Sequence, residues 1–282
     1  MSGAERRETL RHVLLLVPAL LLLLVLFVYP LSGIVNRSVY KNGYTLDAYR
    51  QIVGVPVYVQ VIARTFRTAA LVTLLCLALG YPLAYRLATL RPRTARLVMI
   101  VVVLPFFTSV IVRTYAWMVL LGRTGLVNQS LTALGLAPGP LPLLYNQAGV
   151  LVGMTYVLLP YMVLTLYSVM RGIDGALIRA AYGLGASRLQ VFRRIFLPLS
   201  LPGVAGGTLL VFILSLGFFI TPALMGGPAD MMIAMLIERE VEITLNWAFA
   251  SALAVILLAL TLVGFVGYNR IIRLDRIFEA RS

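Results

Sequence analysis

Apolar residues fall in blocks of about twenty, separated by short segments that carry arginine. Each block is long enough to cross a bilayer as a helix. The pattern predicts six such helices, over about 13–35, 64–88, 97–121, 148–170, 200–222 and 248–269. A transmembrane barrel would show alternating segments of about ten residues instead, and the chain has none of that pattern. The expected fold class is an all-α polytopic membrane protein, a single domain over 1–282. The fifth block is the least regular, broken by Gly203, Gly206, Gly207 and Gly217. Glycines let helices approach closely in a membrane, so this block predicts a tightly packed inner helix. Between the fourth and fifth blocks lies an amphipathic stretch. Its first half, Ile173 to Gly183, predicts a short helix with Leu177, Ala180, Ala181 and Leu184 on one small, apolar face. Gly183 and Gly185 predict a sharp turn or helix cap. A second helix, Ser187 to Phe196, places Leu189, Phe192, Ile195 and Phe196 on one side, and Pro198 and Pro202 mark entry to the fifth span.

Charge adds orientation. With the N-terminus in the cytoplasm, the inside segments hold Arg6, Arg7 and Arg11; Arg86, Arg91, Arg93 and Arg96; Arg171, Arg179, Arg188, Arg193 and Arg194; and Arg270, Arg273, Arg276 and Arg281. That is 16 of the 24 lysines and arginines, as the positive-inside rule requires. Both termini and the 171–199 loop are then cytoplasmic. The segment from Gly226 to Trp247, with Asp230, Glu238, Glu240 and Glu242, is an external loop. The net charge of +14 raises nucleic-acid binding as a rival, but the arginines are dispersed between spans rather than gathered in one patch. The first apolar run, following Arg6, Arg7 and Arg11, has a signal peptide as its rival reading. The run is long for that, and Tyr29-Pro30 is not a small-residue cleavage site, so an uncleaved helix is expected. Across all 282 residues 61% are hydrophobic and the mean hydropathy is +0.95, well above a soluble domain.

The chemistry inventory is short. No G-x-x-x-x-G-K-[ST] loop is present to cradle ATP phosphates. His12 is the sole histidine and Cys76 the sole cysteine, too few for a zinc site or a disulfide. A membrane serine protease needs a serine and a base within the bilayer. Ser187 lies in the loop and His12 at the other end of the chain. No metal and no catalytic residue is expected here.

On pattern alone the 171–199 loop also suits an amphipathic element lying on the membrane surface, its arginines meeting anionic lipid. Its residues carry a resemblance, however. Ala180-Ala181, Gly185-Ala186 and Ile195-Phe196-Leu197-Pro198 fall at the spacings of the E-A-A, G, I-x-L-P motif in permeases of ATP-binding-cassette importers. Arg179 stands at that family's glutamate position, which reverses the charge offered to a partner. Further segments, among them GYPLAYRLA (80–88), LPFFTSVIVRTYAWMVLLGRTGLVN (104–128), LPLSLPGVAGGTLLVF (197–212) and GFFITPALMGG (217–227), are similar to spermidine/putrescine-type permeases. The resemblance implies a type I importer permease in the plasma membrane (the bacterial inner membrane). It implies that two permeases pair, that each docks one ATPase subunit through this loop, and that an external binding protein delivers the solute. ATP and magnesium would belong to the ATPase and no cofactor to this chain. The implied coupling residues are Arg179, Ala180, Ala181, Gly185, Ala186, Ile195, Leu197 and Pro198.

The family implies a small amine solute, a polyamine first. Candidate pathway residues are Arg113, Tyr115, Trp117, Tyr156, Tyr161 and Phe218. Arg113 is ionisable within a span, which marks a functional candidate, though an arginine near a span end also snorkels or pairs with an acid. Tyr115 and Trp117 offer cation–π faces or interfacial anchors. Tyr156, Tyr161 and Tyr167 are spread along the fourth span and cannot all face one cavity. Asn246-Trp247 suits a helix cap and interface anchor, and Pro105 and Pro160 suit kinks. No Asp or Glu falls inside the six predicted spans. A second, non-identical permease could supply the acid that a polycation needs. Otherwise the solute is an opine, a 4-aminobutyrate-like compound or another zwitterion or anion, which Arg113 would suit. A stand-alone secondary transporter needs coupling acids or inverted repeats, and the sequence displays neither.

Overall fold

A computed structural model describes residues 16–40 and 43–272. The expectations placed on Arg6, Arg7, Arg11, His12, Arg273, Arg276 and Arg281 lie outside them. The described residues form helices: α1 (Leu16–Val39), α2 (Asp47–Gly54), α3 (Pro56–Thr89), α4 (Pro92–Val103), α5 (Val110–Leu121), α6 (Leu126–Ala133), α7 (Gln147–Arg171), α8 (Gly175–Gly183), α9 (Arg188–Leu216), α10 (Ile220–Met225), α11 (Ile233–Glu242) and α12 (Trp247–Ile272). Six stretches are long and apolar enough to span: α1, α3, α5 with α6, α7, α9 and α12 to Arg270.

Prolines shape two of these helices in the same way. A proline lacks an N–H, and its ring crowds the carbonyl four residues back. In α1 the N–H of Tyr29 reaches back five residues to Leu24, immediately before Pro30. In α9 the N–H of Leu197 reaches back five residues to Phe192, immediately before Pro198. Each widened turn lets the helix run on through its proline. The fifth span therefore begins at Arg188 rather than at residue 200, and the predicted helix Ser187–Phe196 is its first part, not a separate element. At the other end it stops at Leu216. Gly217 to Phe219 separate it from α10, so the predicted end at 222 is also corrected.

The third predicted span, 97–121, is not one helix. After α4 the chain tightens into a 3-10 turn, Leu104–Phe107, with Pro105 at its start, and becomes extended at Thr108. The Thr108 Oγ1 donates to the Pro105 carbonyl at 2.9 Å. At Pro160, by contrast, α7 continues unbroken. The Gly226–Trp247 segment, expected as loop, contains α11. The first α11 donor is satisfied from another helix: the Ile233 N–H donates to Thr65 Oγ1 on α3 at 2.8 Å. Nearby, Arg64 Nη1 donates to the Ala229 carbonyl at 2.8 Å.

The chain divides into two compact units. The smaller, residues 1–58 and 237–259, is organised around Ile52 and Phe249, both buried. Tyr58 meets Phe249 edge to face at 5.0 Å, and Ser38 Oγ hydrogen-bonds Tyr49 Oη at 2.7 Å. The Arg37 guanidinium lies 6.0 Å from the centre of the Trp247 ring. Asn246 Oδ1 accepts from the Phe249 N–H at 3.3 Å, capping α12 as expected.

The larger unit, residues 59–236 and 260–282, is centred on α7, the most deeply buried span. Met154, Leu158, Met162 and Leu166 have essentially no exposure. α9 packs along α7 through its glycines. A Cβ added at Gly203 would stand 3.0 Å from Val169 Cβ, and one at Gly207 would stand 2.8 Å from Met162 Sδ. On α3, a Cβ at Gly80 would stand 2.9 Å from Met162 Cγ. The inner-helix expectation for the fifth span is met by this seam. Asn128, fully buried, ties the α5–α6 turn to the following loop. Its Nδ2 donates to the carbonyls of Gly122 (2.9 Å) and Leu141 (3.1 Å), and its Oδ1 accepts from the Leu141 N–H at 2.8 Å.

Candidate functional site: a two-helix loop and buried polar residues

The loop between α7 and α9 is built by local signals. Asp174 caps α8, its carboxylate accepting from the Ala176 N–H at 2.8 Å. The helix closes in a Schellman motif. The Ala186 N–H donates to the Ala181 carbonyl and the Gly185 N–H to the Tyr182 carbonyl, both at 3.0 Å. Gly185 carries φ +82°, the left-handed value this motif requires and glycine tolerates best. Ser187 then starts α9 with a capping box. Its N–H donates to Gln190 Oε1 at 2.7 Å, and its Oγ accepts from the Gln190 N–H at 3.4 Å.

Burial separates the two sides of α8. Ile173 and Ile178 pack against the core, as do Phe192 and Phe196 of α9. Phe196 meets Tyr85 edge to face at 4.7 Å. Leu177, Arg179, Ala180, Tyr182 and Gly185 are exposed, and Leu184 is 90% exposed. Ala181 and Ala186 are half-buried. The apolar face of Leu177, Ala180 and Leu184 thus points away from the chain, while Ile173, just before α8, and Ile178 within it hold the loop down. Arg179 lies back along α8: its Nη1 stands 3.2 Å from where a Gly175 Cβ would be. Ile195 and Leu197 are half-buried, and Pro198 is exposed at the widened turn.

The candidate pathway residues do not gather at one point. Trp117 of α5 meets Tyr156 of α7 edge to face at 5.5 Å. Tyr161 pairs instead with Phe106, at 4.8 Å. Tyr115 is 52% exposed and two positions from Trp117, so the two rings lie on different faces of α5 and do not form one cradle. Phe218 packs against the core just past α9.

Arg113 is buried, and its Nε and Nη1 have no hydrogen-bond partner. No acidic residue lies in any described span. Next to it in sequence, Thr114 shares a hydrogen bond of 3.1 Å with Thr221 of α10, and Thr155 of α7 holds a buried Oγ1 with no partner. These three threonines went unrecognised in the sequence. A small side chain within an apolar run leaves little mark on the pattern, and Thr114 also turns its hydroxyl back to the Val110 carbonyl at 2.8 Å.

Six apolar spans, a glycine-lined seam and an exposed two-helix loop define a multi-pass membrane protein. The chain belongs to the family of binding-protein-dependent transport system inner membrane components, whose model matches residues 76–274. It is a multi-pass protein of the bacterial inner membrane. It is 34% identical over 260 residues to the spermidine/putrescine transport system permease protein PotB of Haemophilus influenzae, covering 91% of this chain and 89% of that one. It is 36% identical over 222 residues to PotB of Escherichia coli K12, covering 79% and 80%. The fold is similar to a subunit of a bacterial alginate ABC transporter solved with a pentasaccharide-bound periplasmic protein. That match has a TM-score of 0.76 at 20% identity, covering 94% of each chain.

Proposed function

We propose that this chain is one of two membrane-spanning subunits of an ATP-driven importer, and that its solute is a small amine of the polyamine class. The similarity to PotB of Haemophilus influenzae over nine-tenths of the chain carries this reading. The chain performs no catalysis. Two ATPase subunits hold ATP and magnesium, and a binding protein on the outer face delivers the solute. The loop at 171–199 faces the cytoplasm and seats in an ATPase groove through Leu177, Ala180 and Leu184. Arg179 presents a positive charge beside that face, so the groove that receives it is acidic. ATP-driven closure of the ATPases moves the two loops together, and the permease pair exchanges inward-open for outward-open. The energetic link is the difference in loop docking between the two states.

A polycation crossing a low-dielectric path needs negative charge, and no described span contains any. The second permease is therefore a different chain, and it supplies the carboxylate. The buried Nε and Nη1 of Arg113, which have no hydrogen-bond partner, favour a second reading, in which the same importer carries a zwitterion or anion such as an opine or 4-aminobutyrate. Uptake of labelled putrescine and spermidine decides between them, in cells lacking their own amine importers and carrying this chain with its encoded partners. Saturable uptake displaced only by other polyamines supports the amine. An assembled, ATP-hydrolysing complex that takes up no amine moves the solute to the second class. Uptake by this chain with no ATPase present overturns both.

A further inference from the structure

Beside the root of the two-helix loop, α4 and the end of α7 enclose a groove of about 500 Å³. Its lining includes Arg96, Met99, Ile100, Val103, Phe107 and Arg171. The two arginines belong to segments far apart in sequence, and the fold brings them to one groove. Arg171 Nη1 also reaches the Ala88 carbonyl at 3.5 Å, which sets the ends of α3 and α7 side by side. Both arginines are exposed. The lining contains no acid, and among the described residues the sole ion pair is Arg50 with Asp47.

The groove changes character along its length. Its charged end carries Arg96 and Arg171, and from there the floor is apolar. Eight residues of α4 and its 3-10 turn separate Arg96 from Leu104, roughly 12 Å at helical rise. One leaflet of hydrocarbon is about 15 Å deep. Cations at one end and an apolar wall nearly one leaflet deep match a phospholipid with a phosphate headgroup and an acyl chain. Basic pockets between transmembrane helices hold anionic headgroups on this principle.

We infer that this groove is a binding site for an anionic glycerophospholipid. Arg96 and Arg171 bind the phosphate, and one acyl chain lies along Met99, Ile100, Val103 and Phe107. The inference does not depend on which solute is carried. Because Arg171 is where α7 ends and the loop begins, occupancy would steady the base from which α8 projects.

The test uses the complete importer, purified with its encoded partners in nanodiscs of phosphatidylcholine containing a trace of photoactivatable phosphatidylglycerol. Labelling is expected on peptides covering 92–107 and 167–171, displaced by excess phosphatidylglycerol but not by inorganic phosphate. R96Q/R171Q should weaken it roughly 30-fold, as the loss of two arginines near an anionic surface implies. A second variant, Ile100→Trp, keeps both arginines and fills the floor. It should also reduce labelling, in a complex that still assembles and hydrolyses ATP. Equal labelling of wild type and R96Q/R171Q overturns the site. So does displacement by inorganic phosphate, which would make it a free-anion site. Absence of label from these peptides in the assembled importer overturns it as well, because the groove would then be covered by protein.

Discussion

Two glycines sit two residues apart in the loop, and the structure gives them opposite predictions. Gly183 is the last residue of α8. It has no positive φ, and a Cβ there would meet nothing within 4 Å. Replacing it with alanine should stabilise the helix by about 0.5–1 kcal/mol, because glycine loses more backbone freedom on folding. A Cβ at Gly185 would also meet nothing, but Gly185 has φ +82°. An L-residue in that conformation costs about 1–2 kcal/mol, and a β-branched one more. The two Schellman hydrogen bonds depend on that conformation. Gly185→Val should therefore lower the population of the native turn by roughly 5- to 30-fold relative to alternatives, at about 1.4 kcal/mol per decade. Gly185→Asn should fall between valine and wild type, since asparagine tolerates the left-handed region. Three readouts apply: hydrogen exchange at the Gly185 and Ala186 amides, affinity for the ATPase subunit, and solute uptake. G185V should exchange faster, bind more weakly and transport less, while inserting into the membrane normally. G183A should match wild type or improve on it. If G183A is as damaging as G185V, or if G185V is silent in all three, the left-handed turn does not organise this loop and the argument fails.

Gly125 makes a different prediction. Its Cβ would stand 2.4 Å from the carbonyl oxygens of Val119 and Leu120, so Gly125→Ala must open the α5–α6 turn and should lower the melting temperature of the purified protein, whereas Gly264→Ala, with open space around it, should not. Asn128→Leu removes a long hydrogen bond to the Leu121 carbonyl and three shorter ones of about 1 kcal/mol each and strands the Leu141 N–H, so a loss of roughly 3 kcal/mol is expected in denaturant titration of the detergent-solubilised chain, and a change below about 0.5 kcal/mol would contradict the structure. Glu238 on α11 has its carboxyl pKa raised, first by burial and then by Glu242 beside it. A raised acid is penalised above its folded pKa and relieved as pH falls through it. Glu238→Gln should therefore raise the melting temperature at neutral pH, with the advantage gone near pH 4, below the usual glutamate value; a gain that persists in acid would point to packing rather than charge.

The spans were legible because twenty apolar residues in a row have few other uses. The continuity of α9 past residue 197 was not, since Leu197-Pro198 reads as a break when hydrogen bonds are counted at four-residue spacing. The widened turn before Pro198 removes the conflict without ending the helix, and α1 does the same before Pro30. The break at Thr108 was missed for the opposite reason. The run through Leu104, Phe106 and Phe107 stays apolar, and hydrophobicity does not register a change from helix to extended backbone. Within the candidate site, Gly185 and the Ser187 cap were readable because both are local signals. The pairing of Trp117 with Tyr156, and of Thr114 with Thr221, depends on which helices become neighbours, and one chain's periodicity carries no record of that. Asn128 was hidden in the same way, its partners lying in two loops on either side of it.

Fusion of the loop's second half with the fifth span makes α9 a single shaft of 29 residues, about 43 Å long at helical rise. One end begins at the Ser187 cap, outside the apolar spans, and the rest runs along α7 through Gly203 and Gly207. The turn and the seam therefore lie on one continuous helix, with the widened turn before Pro198 between them. A tilt of about 5° about one end carries the other roughly 4 Å, about the width of a methyl group. At the seam α9 presents glycines, so such a tilt meets Val169 and Met162 of α7 there.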